Sequence, residues 1–247
     1  MALFKHKKHG RVRRFDLVTQ THPQSPPAEA FRTLRTNLGF ACGPEECRTI
    51  MVSSPGPLEG KSTVVSNLAI ALAQAGNNVI LVDCDLRKPV QHRIFNLSNR
   101  QGLTNCLLGQ AAVEDVVQAC LTNNLSLLTS GPMPPNPAEI LSAPRTGAFW
   151  ASLREEYDYV LVDTPPVLAV TDALILAGQL EGAILTLRAG STRSNMAVQA
   201  RNQLTRAGAH LLGVVLNMVK MDSPDYQYNY YYYYGHYGQS DTTKAAL

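Results

Sequence analysis

The segment from residue 50 to residue 76 constrains the fold more than any other part of the chain. It reads IMVSSPGPLEGKSTVVSNLAIALAQAG. An apolar run is followed by a short loop of proline, glycine and small polar residues, and the loop passes directly into a pattern with helical periodicity. This order predicts a buried strand, a loop and a helix. Such a unit is typical of an open sheet of parallel strands.

The rest of the chain repeats this alternation. Apolar runs predict strands at residues 47–55, 78–85, 125–131, 158–166, 182–190 and 211–219. Helical patterns are predicted at residues 28–41, 61–76, 136–156, 171–179 and 193–208. Nearly continuous apolar strands that alternate with helices indicate an α/β fold, with a mostly parallel sheet covered by helices on both faces. With 247 residues, the chain has room for one such domain.

The two ends of the chain differ from this central domain. Residues 1–27 are basic and then rich in proline, and we predict that they form a flexible arm. Residues 28–221 are predicted to form the domain. Residues 222–247 are polar and rich in tyrosine, and we predict a flexible tail there. The chain is therefore divided into an arm, one domain and a tail.

The loop at the start of the second predicted helix has the composition of a phosphate-binding loop. Gly60, Lys61, Ser62 and Thr63 join the strand to the helix, and backbone N–H groups at such a junction converge on phosphate oxygens. The usual pattern has a glycine where this chain has Pro55, so an ordinary glycine-rich helix start is the alternative. The residues predicted to contact nucleotide phosphates are Pro57, Leu58, Glu59, Gly60, Lys61, Ser62 and Thr63.

Three carboxylates follow predicted strands. Asp83 and Asp85 close the run VILVDCD, and Asp163 closes the run YVLVD. Ligands of open parallel sheets bind at the carboxyl ends of the strands, so these acids should lie near the phosphates. Carboxylates at that position are suited to hold Mg²⁺. A single acid at a strand end is more often a turn residue, but three of them beside a Gly-Lys-Ser loop favour binding of a nucleoside triphosphate.

Several motifs together resemble the bacterial tyrosine kinases (BY-kinases) of capsule and exopolysaccharide synthesis. EGKST resembles the Walker A motif of that family, ILVDCDLRKP its Walker A′ motif and VLVDTPPV its Walker B motif. EAFRTLRTNL is similar to the E-x-x-R-x-x-R helix of the family, and SGPMPPNPAEIL to a segment between the second and third motifs. The family also ends in a tyrosine cluster, as this chain does. The resemblance implies a P-loop NTPase-like fold and an ATP-dependent protein-tyrosine kinase.

The resemblance implies roles for the site residues. The catalytic residues would be Lys61, Asp83 and Asp85, with Asp83 as the base or as the acid that orients the phenol. Ser62, Asp85 and Asp163 would hold Mg²⁺ beside ATP. Asn217 is an adenine contact by resemblance, and a buried asparagine at a strand end is the equal alternative. Family members commonly have glycine in place of Leu58, so the loop should be stiffer or differently shaped here.

The tail contains eight of the ten tyrosines of the protein. A phenol has a pKa of about 10 and needs a base, an in-line position and charge neutralisation to attack ATP. We expect autophosphorylation in trans, with the tail of one copy in the site of its neighbour. A low-complexity segment that stacks or adheres is the alternative. The predicted sites are Tyr226, Tyr228, Tyr230, Tyr231, Tyr232, Tyr233, Tyr234 and Tyr237.

Glu29, Arg32 and Arg35 fall close to one face of the first predicted helix. The resemblance implies that this helix joins subunits into a ring. The alternative is a solvated face with weak local ion pairs. Each phosphate on the tail would add nearly two negative charges. We therefore expect phosphorylated tails to repel one another and to leave the ring.

The net charge is +3, and six basic residues precede the first acid, Asp16. We expect this basic arm either to be solvated or to meet an anionic surface. The longest apolar runs fall short of the roughly 20 residues that cross a bilayer, and the N-terminus lacks the apolar core of a secretory signal. The chain is therefore expected to be cytoplasmic, and the resemblance implies a peripheral position at the inner face of the membrane through a partner.

The resemblance implies a set of partners. These are other copies of the chain, a membrane-embedded adaptor of polysaccharide chain-length control that activates the kinase, and a tyrosine phosphatase. No nucleic-acid partner is expected.

Two other functions remain open at this point. The first is an ATPase switch of the kind that positions chromosomes or septa, in which water replaces tyrosine as the nucleophile. Those proteins usually carry a lysine at the start of the phosphate loop, and SSPGPLEGK has none there. The second is a scaffold that binds nucleotide without catalysis and uses the tyrosine tail for adhesion.

Overall fold

The computed structural model describes residues 16–42 and 47–219. Within them, seven strands form one sheet in the order β3-β4-β2-β5-β1-β6-β7. The strands are β1 (Thr49–Ser53), β2 (Val79–Asp83), β3 (Gln118–Ala119), β4 (Leu125–Leu128), β5 (Tyr159–Asp163), β6 (Gly182–Arg188) and β7 (Leu211–Asn217). All neighbours pair in parallel except β3 and β4, which are antiparallel. The predicted mostly parallel α/β sheet is confirmed.

Ten helices are present in the described residues. They are α1 (Val18–Thr21), α2 (Pro26–Ala41), α3 (Lys61–Gln74), α4 (Gln91–Ile94), α5 (Leu103–Leu107), α6 (Val113–Val116), α7 (Pro137–Leu141), α8 (Arg145–Glu156), α9 (Asp172–Ala177) and α10 (Ser194–Arg206). None of the helices described is long and apolar enough to cross a membrane.

Both faces of the sheet carry a packed apolar cluster. Every residue of β1 and β2 is buried, which explains why these strands read as continuous apolar runs. One cluster joins one face of the sheet to α2 and α3. The other joins the opposite face to α5, α8, α9 and α10, with Trp150 and Leu153 of α8 in its interior. The two clusters establish that helices cover both faces.

Folded structure is present before the predicted domain boundary at residue 28. Residues 16–25 lead into α2 and are held against α3, because Thr19 is fully buried and its hydroxyl donates to Asn67 Oδ1 at 2.6 Å. The amide of Asn67 donates in turn to the carbonyl of Asp16. The prediction of a flexible arm as far as residue 27 is therefore wrong for residues 16–27. Its first fifteen residues lie outside the described residues, as do Lys220, Met221 and the predicted tail.

Some elements differ from their prediction. The helix predicted at residues 136–156 is two helices, because α8 begins after Pro144, whose ring and missing N–H prevent α7 from continuing. Helices α4, α5 and α6 and strand β3 were not predicted. Each has two to five residues, which is too short to show a periodic apolar pattern.

The carboxyl ends of the central strands lie side by side. Strand β5 lies between β1 and β2, and Asp83 of β2 is paired in register with Asp163 of β5. The loop between β1 and α3, residues 54–60, leaves the same edge; it is called the phosphate loop below. The parallel sheet thus gathers three segments that are far apart in the sequence.

Candidate active site

The phosphate loop contains two residues with left-handed backbone conformations. Gly60 has φ 87°, and a Cβ at this position would come within 2.1 Å of the amide nitrogen of Asn217. No residue but glycine fits there without movement of its neighbour. Leu58 has φ 69°, although leucine carries the steric cost that glycine avoids. The glycine that the family commonly has at this position matches the observed backbone, and this chain adopts the same region with a leucine.

Lys61 is the first residue of α3 and lies between two carboxylates. Its ammonium is 3.0 Å from Asp85 Oδ2 and 3.0 Å from Asp163 Oδ1, and it also donates to the hydroxyl of Ser62. All three charged side chains are almost completely buried. Burial opposes the charged ammonium, but the two carboxylates outweigh it, so the pKa of Lys61 is raised. We call Lys61, Ser62, Asp85 and Asp163 the charged floor.

Asp83 is fully buried beside this floor but does not line the cavity above it. Its carboxylate accepts backbone N–H groups of Asp85, Val90 and Gln91 at 3.0 to 3.2 Å. Burial and the nearby charge of Asp163 raise the pKa of Asp83 to about 7. In this conformation Asp83 holds the segment after β2 in place. A direct contact with a substrate phenol requires that segment to move.

Gln91 was not predicted as a site residue. Its side chain is fully buried and donates to Asp163 Oδ2 at 2.7 Å and to the carbonyl of Ser62, while its oxygen accepts from the hydroxyl of Ser66. Gln91 therefore fixes the orientation of Asp163 relative to α3. No sequence signal marks this residue, because a glutamine in a four-residue helix resembles any surface residue.

The side chain of Glu59 connects three segments. It is buried, and its carboxylate accepts the N–H of Gly56, the N–H of Arg188 and the hydroxyl of Thr192. The carbonyl of Glu59 accepts from the amide of Asn217 at 3.0 Å. The phosphate loop is thus tied to the segment after β6 and to the end of β7. The motif placed Glu59 in the loop, but it did not reveal these contacts.

A cavity of about 580 Å³ opens above the charged floor; Lys61, Ser62 and Asp85 line it, and Asp163 is fully buried beneath them. One side is formed by the phosphate loop and the start of α3, and the other by the segment from Asp85 to Arg93 together with Met133 and Pro166. Of the predicted nucleotide contacts, all but Glu59 and Asn217 line it: Pro57, Leu58, Gly60, Lys61, Ser62 and Thr63. The structure therefore brings together the residues that the three motifs predicted.

Asn217 lies at a second cavity, of about 480 Å³, between the start of α2 and the end of β7. Pro26, Phe31 and Val64 are among its lining residues. The amide nitrogen of Asn217 is engaged by Glu59, and its side-chain oxygen has no such bond among the described contacts. Asn217 therefore has a structural role beside Gly60. A contact with adenine stays a prediction.

The side chains of the charged floor are suited to bind Mg²⁺ together with a nucleoside triphosphate. Two buried carboxylates and a hydroxyl are the donor set that Mg²⁺ uses when phosphate oxygens complete its coordination. In the part of the chain described, no group of three or more His, Cys, Asp or Glu residues surrounds a common point. The first N–H groups of α3 lack intrahelical acceptors, so this end of the helix is suited to bind an anion. A metal would therefore be held jointly by the protein and the phosphates.

The three predicted oligomerisation residues all make contacts within the chain. Arg32 pairs with Glu29 and donates to the carbonyl of Pro23. Arg35 donates to the carbonyl of Ala71 on α3 at 3.1 Å. These contacts match the alternative of local ion pairs, and they leave a ring as a prediction. The eight predicted phosphorylation tyrosines lie outside the described residues.

Fold and site define the class of protein. A parallel sheet, a Gly-Lys-Ser loop at the start of a buried helix and two acids at neighbouring strand ends are the elements of a P-loop NTPase. Residues 47–246 match the ParA family, described as "NUBPL iron-transfer P-loop NTPase". The septum site-determining protein MinD of Pyrococcus horikoshii OT3, a structure with Mg-ADP, superposes with a TM-score of 0.60 at 26% identity, over 72% of this chain and 74% of that one.

Proteins with higher similarity to the chain identify its family within the P-loop NTPases. Tyrosine-protein kinase YwqD of Bacillus subtilis (strain 168) is 40% identical over 95% of this chain and 96% of its own length. The kinase domain of Escherichia coli tyrosine kinase ETK superposes with a TM-score of 0.80 at 29% identity, over 98% and 89% of the two chains. The chimerical protein CapA2B2 gives 0.79 at 37% identity, over 82% and 89%. The chain belongs to the family of bacterial tyrosine kinases.

Proposed function

We propose that this protein is an ATP-dependent protein-tyrosine kinase that phosphorylates the C-terminal tyrosines of a neighbouring copy. The observation that carries the proposal is the charged floor, with Lys61 held at 3.0 Å from both Asp85 and Asp163 beneath an open cavity. A phosphoryl group bound there would meet a cation, two metal-binding acids and an entrance for a side chain. Family membership supports tyrosine as the acceptor.

Each floor residue has a role in phosphoryl transfer. Lys61 exchanges its two carboxylate partners for the β- and γ-phosphates and neutralises charge that develops during transfer. Asp85 and Asp163, once released from Lys61, would hold Mg²⁺ with the hydroxyl of Ser62, and the metal would supply charge neutralisation. Gln91 keeps Asp163 oriented while Lys61 moves. Catalysis thus consists mainly of positioning and electrostatics.

Asp83 is proposed as the base or phenol-orienting acid of this site. Its backbone hydrogen bonds to Val90 and Gln91 must open for its carboxylate to meet a phenol. Binding of a tail in the cavity supplies contacts to the same segment, and those contacts can compensate for the lost hydrogen bonds. Asp85 already lines the cavity and is the residue that would orient the phenol if the segment stays closed.

The names of the relatives support a proposal for the biological setting. Putative tyrosine-protein kinase CapB of Staphylococcus aureus is 35% identical over 87% of this chain and 94% of its own length. Tyrosine-protein kinase etk of Escherichia coli (strain K12) is 33% identical, but this chain spans 31% of it. We infer that a membrane adaptor protein activates this kinase at the inner face of the membrane. The kinase would regulate capsular or exopolysaccharide export, with a phosphatase that resets the tail.

One experiment tests kinase activity and the trans mechanism together. Full-length Lys61→Met protein, which has a tail but lacks the floor cation, is mixed with a variant that lacks residues 226–237, and both receive Mg-ATP and the cytoplasmic tail of the adaptor. Phosphotyrosine on the Lys61→Met chain, detected by mass spectrometry, is the expected result. In the matched control, both chains carry Lys61→Met, and the phosphotyrosine signal should vanish.

The same experiment separates the alternatives. Release of free phosphate without phosphotyrosine supports the ATPase switch, the activity class suggested by the likeness to MinD. Nucleotide binding without either product supports a scaffold. Absence of phosphotyrosine on the Lys61→Met chain, when the unmodified full-length protein phosphorylates its own tail under the same conditions, contradicts transfer in trans.

A further inference from the structure

One side of the cavity carries basic side chains that the mechanism above does not use. Arg87, Lys88 and Arg93 line the cavity on the segment that follows β2, opposite the phosphate loop. Lys88 and Arg93 are exposed, and Arg87 is partly exposed. We call these three residues the basic rim.

The charge of the rim is only partly neutralised. The guanidinium of Arg87 makes two hydrogen bonds to the fully buried Asp172. Arg93 donates to the carbonyl of Pro89, which carries no charge, and Lys88 makes no ion pair with another described residue. The ion pair with Asp172 also holds the rim in position.

The cavity offers no compensating acid. Among the described residues that line it, Asp85 is the only carboxylate, and Asp85 is already paired with Lys61. Two free cations therefore face solvent at the mouth of the cavity. A ligand that enters beside the rim gains by bringing negative charge with it.

Apolar surface lies next to the rim. Leu58, Pro89, Val90 and Met133 line the same cavity, and Leu58 and Met133 are more than half exposed. An aromatic ring can pack against these side chains while a neighbouring anionic group reaches the rim. The cavity thus combines a surface for a ring with a surface for an anion.

We propose that the basic rim selects tyrosines that stand beside negative charge, including phosphate already placed on a neighbouring tyrosine. This inference rests on the proposed kinase function and names its substrate class. The tail has this composition, since Asp222 and Asp225 precede Tyr226 and the other tyrosines follow in close succession. The first phosphotyrosine of a tail then strengthens its binding for the next transfer.

The rim also limits this retention. A phosphotyrosine carries about −1.5 to −2 charges near neutral pH, so about one of them matches the two free cations of the rim, Lys88 and Arg93. Further phosphates find no free cation and repel the nucleotide. Early phosphorylation therefore retains the tail, and late phosphorylation releases it.

The test uses peptides of residues 222–238 with the full-length kinase whose own tail tyrosines are replaced by phenylalanine. Three peptides are compared: the native peptide, one with Asp222→Asn and Asp225→Asn, and one with phosphate on Tyr226. Relative to the native peptide, the KM of the peptide with both Asp→Asn changes should be about fivefold higher, and the KM of the phosphorylated peptide should be lower. Added salt should reduce both differences, because it screens the charges.

Charge reversal in the enzyme sharpens the test. Lys88→Glu should raise the KM of the native peptide and leave the KM of ATP unchanged, and a peptide with Asp225→Lys should recover affinity for this variant. The matched control is Arg201→Glu, an exposed change of the same charge on α10, away from the cavity. It should behave as the unmodified enzyme does.

The possible failures are distinguishable. Equal KM values for all peptides, with phosphotyrosine formed, overturn the basic rim and leave the kinase in place. A changed KM for ATP in Lys88→Glu assigns the rim to the nucleotide and also overturns the inference. Absence of phosphotyrosine on every peptide overturns the kinase and the rim together.

Discussion

The charged floor and the charged face of α2 use the same kinds of side chain in opposite surroundings. On the floor, Lys61 and Asp163 are buried and each has a charged partner. On α2, Glu29 and Arg32 pair while 44% and 32% of their side chains remain exposed. Because water screens the second pair and not the first, charges of the same type differ greatly in what their removal costs.

This difference in exposure suits the buried pair to catalysis and the exposed pair to the assembly of subunits. A buried ion pair is sensitive to the loss of one partner, which suits a site where a phosphate must take the place of a carboxylate. An exposed pair contributes little to the monomer, so its residues can exchange partners with another copy at small cost. The predictions below test both sides of this comparison, beginning with the largest effect.

The largest effect is expected for Lys61→Met. Phosphotyrosine formation should fall about 10²- to 10³-fold, as when one preorganised charge donor is removed from an active site. The free energy of unfolding without Mg²⁺ should fall by about 3 kcal/mol, because Asp85 and Asp163 lose their cation. Urea denaturation with and without Mg²⁺ measures the second effect, and Mg²⁺ should restore part of the loss.

The double variant Lys61→Met with Asp163→Asn is the control for this prediction. It removes one of the two acids together with the cation, so stability should recover while activity stays lost. If Lys61→Met unfolds at the same urea concentration as the original protein, the floor does not depend on its ion pairs.

A smaller effect is expected for Glu59→Gln. The Glu59 carboxylate accepts hydrogen bonds from Gly56, Arg188 and Thr192. The glutamine amide places N–H groups at one of these oxygens, so at least one hydrogen bond that holds the phosphate loop is lost. The Kd for a non-hydrolysable ATP analogue should rise about tenfold, at a cost of about 1.4 kcal/mol. Isothermal titration calorimetry measures it.

Glu155→Gln is the matched control, since Glu155 is exposed on α8 and far from the loop in sequence. It should bind the analogue as tightly as the original protein. Equal affinity of both variants would mean that the loop keeps its shape without Glu59.

Leu58→Gly tests the backbone next to the floor. Glycine relieves the left-handed conformation at φ 69° and loses little packing, because 55% of Leu58 is exposed. Relief of the backbone strain stabilises the folded protein, whereas the greater conformational entropy of glycine favours the unfolded chain. The first effect is the larger, so we expect a net gain of about 0.5 kcal/mol in the free energy of unfolding. Leu58→Ala removes the side chain but keeps the strain, and it should show no gain. A loss of stability in Leu58→Gly larger than in Leu58→Ala would contradict the strain.

The smallest effect on stability is expected on α2. Glu29→Ala should change the free energy of unfolding of the monomer by less than about 0.5 kcal/mol, since exposed pairs contribute no more. The combined change of Glu29, Arg32 and Arg35 to alanine should nevertheless reduce the mass in light scattering to that of a monomer. An unchanged mass would mean that this face does not join subunits.

Light scattering of phosphorylated and phosphatase-treated protein completes this side of the comparison. The phosphorylated protein should have the lower mass. Equal masses would contradict release of the ring by the tail.

Some secondary-structure elements could be predicted from the sequence and others could not, for a physical reason. The six parallel strands and the long helices were predicted, because each has enough residues to show its apolar pattern. The fold around Thr19 was not predicted, because its burial depends on Asn67, 48 positions away, and a proline-rich stretch looks like an arm. Short helices such as α4 also left no pattern.

Within the site, the motifs identified Lys61, Ser62, Asp85 and Asp163, since phosphate and metal chemistry restricts the residue types at those positions. Neither Gln91 nor the side chain of Glu59 could be identified in this way. Their roles depend on which segments the sheet order places beside them, and that order is not written in any local stretch.

The sequence by itself determined the class of the protein, its α/β alternation and the residues that meet the phosphates, because strand periodicity and phosphate binding are local properties of the chain. Only the tertiary structure decided that Lys61 joins two distant carboxylates, that Asp83 supports a loop and that basic side chains line one side of the cavity. Contacts of this kind depend on the distances between segments that fold together, and those distances arise when β1, β2 and β5 pair.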